Sequence, residues 1–136
     1  RSGRFAFRWS SATIRYRLLM DWEIRIYKDA VDFSTVAQMA GENFDDYVKG
    51  VVDIEGKLLG LGGELHSDIG EVLRSQGGIQ PNLWGINLYP NESWPEMIEF
   101  DSLINIRPRQ SNRTRYVEDP LLREKILKLV GEILQR

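Results

Sequence analysis

Apolar and polar residues alternate from Trp22 to Tyr27 (Trp-Glu-Ile-Arg-Ile-Tyr). A period of two sends successive side chains to opposite faces, so this segment predicts a half-buried strand. Ser34 can cap a helix over Thr35 to Met39 or beyond, ended by Gly41 or Asn43. Tyr47 to Glu55 is rich in β-branched residues and predicts a strand. Gly56-Lys57 offers a tight turn, from which Leu58 to His66 returns antiparallel. Gly60, Gly62 and Gly63 interrupt that return and point to a bulge or the close approach of another backbone. His66-Ser67-Asp68 can cap a short helix over Ile69 to Ser75, in which Ile69, Val72 and Leu73 share a face and which Gly77-Gly78 ends. Leu83 to Tyr89 predicts a strand, Pro90 to Pro95 a turn, and Met97 to Ile106 the longest strand, stopped by Pro108. Asp119 caps and Pro120 opens a final helix, where Leu121, Leu122, Ile126, Leu129, Val130, Ile133 and Leu134 recur at helical spacing.

The order is β-α-β-β-α-β-β-α. It predicts an α+β fold: a mixed, mainly antiparallel sheet of about five strands, with two or three helices on one face. A chain of 136 residues, 42% of them hydrophobic, suits one domain with one ordinary core. That domain is assigned to residues 20–136.

Residues 1–19 are set apart as a basic extension outside the fold, because their composition differs. The first twenty residues hold five arginines and no acid. A targeting peptide has this character, whereas a secretory signal lacks its apolar centre here. The segment also fits residues upstream of a natural start at Met20, or a basic arm for RNA. Residues 21–101 then carry sixteen acids against five bases, and residues 102–136 eight bases against four acids. Charge segregated in this way steers ligands more than the net −2 does, and the acidic majority argues against broad binding to duplex DNA.

The chain has no cysteine and a single histidine, which excludes disulfides, thiolate sites and a multi-histidine zinc site within one chain. No apolar run reaches the roughly 18 residues of a membrane span. A cytoplasmic location is the expectation.

The chemistry gathers in Asn105 to Tyr116, which holds four arginines among side-chain amides and hydroxyls. Guanidinium groups are rigid forks of donors suited to phosphate or carboxylate. Arg107, Arg109, Arg113 and Arg115 are therefore candidates for an anion clamp, with Gln110 and Asn112 donating beside them. The competing reading pairs these arginines with the acidic surface, where each pair contributes about 0–1 kcal/mol. Asn87 and Asn105 each alternate with aliphatic neighbours on adjacent predicted strands, and either converge on one ligand or bond each other.

Glu64 and His66, two residues apart, are weak candidates for acid–base catalysis; the alternative is a helix cap at His66 and a salt bridge at Glu64. Trp84 and Tyr89 offer surfaces for base stacking, although buried aromatics are commoner. Gly60-Leu61-Gly62-Gly63 is neither a phosphate loop nor a dinucleotide fingerprint. Asp45, Asp46, Asp53 and Glu55 match no metal-loop spacing and read as a solvated acidic edge. No cofactor and no metal are expected.

Several ordered runs resemble a known family: Val51-Val52-Asp53-Ile54-Glu55, Leu61 to His66, Leu83 to Pro90, Ser102 to Pro108 through Asn112-Arg113, and Glu118-Asp119-Pro120. Together they are similar to the domain-of-unknown-function family numbered 5674, over about Met20 to Gln135. The resemblance implies this domain extent and a bacterial cytoplasmic origin, and it carries no activity. Three functions follow from the residues. The first is a module binding a phosphate-containing small molecule or RNA. The second is a small phosphodiesterase or ribonuclease, which needs His66 within about 8–10 Å of the arginine loop. The third is an interaction protein or homodimer, with the final helix as its contact element.

Overall fold

A computed structural model describes residues 5–10, 13–18, 23–42 and 45–135. Strands β1 (Phe5–Ser10), β2 (Thr13–Leu18) and β3 (Glu23–Tyr27) are followed by the short β4 (Val31–Asp32) and by α1 (Phe33–Glu42). Next come β5 (Val48–Asp53), β6 (Leu58–Gly62) and α2 (His66–Ser75). The chain closes with β7 (Leu83–Leu88), β8 (Ile98–Glu99), α3 (Pro120–Ile133) and β9 (Leu134–Gln135). The main sheet runs β1-β2-β3-β6-β5-β7-β8 and is antiparallel throughout, while β4 and β9 form a short parallel ladder. The α+β class and the predicted succession of strands and helices from β3 onward are as expected. Residues 5–10 and 13–18, set apart by composition, pair onto the β3 edge as an antiparallel hairpin. Trp22 and Asn43, expected as ends of elements, lie outside the described residues.

The helices were expected on one face of the sheet, and they lie on both. Ile69, Val72 and Leu73 of α2 pack with Ile24, Ile26, Val51 and Leu83 on one side of the sheet. Val36 and Met39 of α1, with Ile126, Leu129, Val130 and Ile133 of α3, pack with Val52, Leu59, Trp84 and Leu88 on the other. Every residue of β7 is buried, as a strand covered on both faces must be. Glycines hid this from the sequence, because Gly85 and Gly60 break the apolar run without being polar positions. A Cβ on Gly60 would lie 2.5 Å from the Ile69 side chain, so the missing side chain is what lets α2 settle onto β6. The expected close approach of another backbone is found not here, where side chains crowd the glycine, but at Gly62. Gly62, at φ +100°, turns the chain out of β6 towards α2, and a Cβ there would meet the Glu23 carbonyl oxygen at 2.4 Å.

α2 begins at His66 rather than Ile69, so the expected caps sit in its first turn. Its N-cap is Leu65, which offers no side-chain hydrogen bond. α3 starts as predicted, with Asp119 Oδ1 accepting from the Leu121 amide at 2.9 Å and Pro120 at the first position. Ile126, Leu129, Val130 and Ile133 of its apolar stripe lie in the core, whereas Leu121 is exposed; at about 1.5–3 kcal/mol per fully buried aliphatic side chain, core packing accounts for most of the helical spacing. Asp119→Ala is expected to lower stability by about 1 kcal/mol; a urea denaturation midpoint indistinguishable from the parent chain would show that the cap is idle.

The segment predicted as the longest strand is the main departure. Only Ile98–Glu99 is strand. Residues Leu103–Asn105 and Pro108–Gln110 are single 3-10 turns, the first capped by Ser102, whose hydroxyl accepts from the Ile104 amide. Side chains compete with ladder formation here, and the alternation of Ile104, Asn105 and Ile106 is not that of a strand.

Candidate functional site

The arginine loop is organised by its amides. Asn112 is buried; its Nδ2 donates to the carbonyls of Asn105, Thr114 and Tyr116, and its Oδ1 accepts from the Glu118 amide. The Glu118 carboxylate accepts in turn from the amides of Arg113 and Thr114 and from the Thr114 hydroxyl, and these bonds hold its pKa below the usual carboxylate value. Asn105 is fully buried: Nδ2 donates to the carbonyls of Gly85 and Arg115, while Oδ1 accepts from the Gly85 amide at 2.8 Å. Its side chain thus takes the place of a neighbouring strand against β7, two residues beyond the last pair with β8.

Arg107 points inward, which corrects its place in the expected clamp. Its Nε donates to the Ile104 carbonyl at 2.9 Å and its Nη1 to the Gln80 carbonyl at 2.7 Å. Nη2 meets the Leu83 carbonyl, and Gln110 accepts from Nη1 at 3.3 Å while donating to the Pro81 carbonyl. The guanidinium lies 4.2 Å from the ring centroid of Trp84, a cation–π contact. Burial lowers its pKa to about 10, leaving it charged at neutral pH. Trp84, considered for base stacking, is 4% exposed and faces this guanidinium.

The four arginines therefore do not converge. Arg115 pairs with Asp101 at 2.7 Å, both about half exposed, as the surface-pairing alternative had it. Arg109 and Arg113 are exposed. Among the described residues no group of three or more His, Asp or Glu gathers as for a metal ion. Asp53, read as part of an acidic edge, is buried and accepts from the Gly56 amide in the β5–β6 turn.

Asn87 leads elsewhere. Strand register places Lys49, Asn87 and Glu99 side by side on β5, β7 and β8, and opposed residues of neighbouring strands project to the same face. The amide nitrogen of Asn87 donates to Glu99 Oε1 at 2.8 Å and to the Asp101 carbonyl at 3.0 Å. This fixes the orientation of the amide and leaves Oδ1, in a side chain only 5% exposed, without a hydrogen-bond partner. Lys49 and Glu99 belong to no ion pair among the described residues: Lys49 Nζ stands 5.2 Å from the Tyr47 ring centroid, and Glu99 accepts only from Asn87 and the Tyr89 hydroxyl. Tyr47 and Tyr89 stack at 5.1 Å alongside.

The first turn of α2 borders the same space. His66, Ser67, Lys49, Asn87, Glu99 and Arg115 are among the residues that line a cleft of about 570 Å³. The first amides of a helix have no acceptor within it; the N-cap residue of α2, Leu65, offers them no side-chain hydrogen bond, and the acid of the first turn is Asp68. His66 Nε2 lies 2.9 Å from the Ile86 carbonyl oxygen. A carbonyl only accepts, so Nε2 carries hydrogen and the neutral ring keeps Nδ1 as an acceptor. Burial lowers the pKa of the imidazole, aided by Lys49, against the opposing influence of Ile86, Asn87 and Asp101.

His66 thus shares a cleft with Arg115, whereas Glu64 is exposed and not part of its wall. Reasoning from the sequence found Asn87, His66 and Arg115 and missed Lys49, Glu99 and Asp101. The signal for the first two of these was strand register, since Lys49 and Glu99 flank Asn87 only once β5, β7 and β8 are paired.

No helix among the described residues is long and apolar enough to cross a membrane. No curated protein and no solved structure matches the chain. Over residues 25–133 the chain matches the model of the family described as Protein of unknown function (DUF5674), and it belongs to that family.

Proposed function

We propose that this member of the DUF5674 family binds a small molecule bearing a carboxylate or phosphate in the cleft between the start of α2 and strands β5, β7 and β8. The observation that supports this most is the row Lys49–Asn87–Glu99 lying in register beside the uncapped helix start. A helix N-terminus favours an anion through its free amides and its dipole, and Lys49 adds a cation with no acidic partner. Arg107, Gln110, Asn105 and Asn112 support the walls, and Arg115 reaches the cleft. Arg109 and Arg113 stand outside it. The hydrolase reading built on Glu64 and His66 has less support, because the two do not share this cleft.

A thermal-shift panel of inorganic phosphate, short carboxylates, nucleotides and short RNAs, run at low and moderate salt, tests the proposal. A ligand at one hundred times its Kd stabilises the fold by about 2.7 kcal/mol. Small carboxylates or phosphates should raise Tm, Lys49→Gln should abolish the rise, and the double variant Arg109→Gln/Arg113→Gln should leave it intact. A rise that survives Lys49→Gln and disappears in the double variant would return the site to the arginine loop. Stabilisation by RNA alone would replace the small molecule with a nucleic acid.

A further inference from the structure

We propose that the ligand of this cleft is a small zwitterion, an amino acid carrying a carboxylate and a primary ammonium on one short carbon frame. The inference rests on the cleft being a ligand site, and it adds the chemistry of the ligand's second pole.

The cleft is not simply cationic. Lys49 lies on one side of Asn87 and Glu99 on the other, and neither charge is neutralised by an ion pair within the described residues. Strands are spaced about 4.8 Å apart, so Lys49 and Glu99 stand about 10 Å apart at the backbone, a gap that a lysine side chain and a short amino acid span together. A simple anion would satisfy Lys49 and the α2 amides and would leave Glu99 facing an additional negative charge. A zwitterion satisfies both poles: its carboxylate goes to Lys49 and the start of α2, and its ammonium to Glu99.

The acceptors at the second pole suit an ammonium better than a hydroxyl. The Glu99 carboxylate receives only neutral donors, the Asn87 amide and the Tyr89 hydroxyl. An ammonium brings three hydrogens and a positive charge to these oxygens, whereas a hydroxyl brings one hydrogen and no charge. Asn87 Oδ1 is closed to solvent, so Asn87 serves this pole by holding the Glu99 carboxylate in place through its amide nitrogen. His66, the single histidine of the chain, lines the same cleft and reports its occupation.

The test titrates the full chain with three matched sets of probes: L-amino acids, their 2-hydroxy acid counterparts, and the amines lacking the carboxylate. Inorganic phosphate is the simple anion. Calorimetry gives affinity, and the imidazole resonances of His66 locate binding. At least one amino acid should bind tenfold or more tightly than both of its matched analogues and should shift the His66 signals. Glu99→Gln, which keeps the acceptor for Asn87, should weaken the amino acid at least tenfold and bind phosphate no more weakly than the parent chain, while Lys49→Gln should weaken both. Hydroxy acids or phosphate binding as tightly as the amino acids, with Glu99→Gln silent, would overturn the zwitterion and leave the anion site standing. No binding by any probe, with His66 unmoved, would overturn both.

Discussion

Asn105→Ala is expected to lower stability by about 3–5 kcal/mol, a large share of the 5–15 kcal/mol typical of a folded domain. The side chain is fully buried and serves three backbone groups: the amide and carbonyl of Gly85 and the carbonyl of Arg115. Removing it leaves the amide and carbonyl of Gly85 without partners in a region closed to water and the Arg115 carbonyl with the Ser102 amide alone, and each buried unsatisfied group costs about 1–3 kcal/mol. The loss should extend beyond the loop, because Asn105 joins the outermost turn to the central strand β7. Urea denaturation followed by tryptophan fluorescence measures it. A loss under about 1 kcal/mol would mean that water or a shifted backbone replaces the amide.

Arg107→Leu should cost about 3 kcal/mol, since it strands the carbonyls of Ile104 and Leu83, leaves that of Gln80 with the Leu83 amide alone, and removes the cation over Trp84. Arg107→Lys keeps the charge but replaces a planar fork with a single ammonium that cannot reach carbonyls on two separate chain segments. It should therefore be nearly as damaging. By contrast, Arg109→Gln and Arg113→Gln, at exposed positions, should each change stability by no more than about 0.5 kcal/mol. The same urea titrations distinguish a fold-supporting fork from an anion clamp: a clamp would lose ligand affinity on substitution and keep its stability. Full rescue by lysine would show that charge alone is required at position 107.

These two residues also mark where the sequence stopped being informative. β3 and α3 were legible because each has one buried face, and a period of two or of 3.6 records that face directly. The start of α3 was legible from Asp119-Pro120 because capping is local chemistry. β6 and β7 were recognised as strands, but their second buried face was not, because glycine at positions 60 and 85 makes room for a covering layer without leaving an apolar residue to announce it. The density of arginines and amides between Asn105 and Arg115 was a real signal, and its meaning was only half visible. The acceptors of Arg107, Asn105 and Asn112 are mostly backbone carbonyls, which every residue possesses and no sequence pattern displays. Asn87 was legible as a polar residue facing away from Ile86 and Leu88, but its two charged neighbours arrive from other strands.

The way the outer side of β7 is completed has a consequence for how these molecules behave in a crowded solution. Glu99 and Ile98 pair with its last two residues, the Asn105 amide occupies Gly85, and the Arg107 fork covers Leu83. An uncovered strand margin is a template on which a second chain can add by hydrogen bonding, the first step towards fibrils. Here the row of backbone groups is taken up by two side chains and a two-residue strand, none of which offers a regular ladder to an incoming segment. The departure from a long eighth strand, which cost the sequence reading its simplest prediction, is therefore also what keeps this side of the sheet from recruiting other chains.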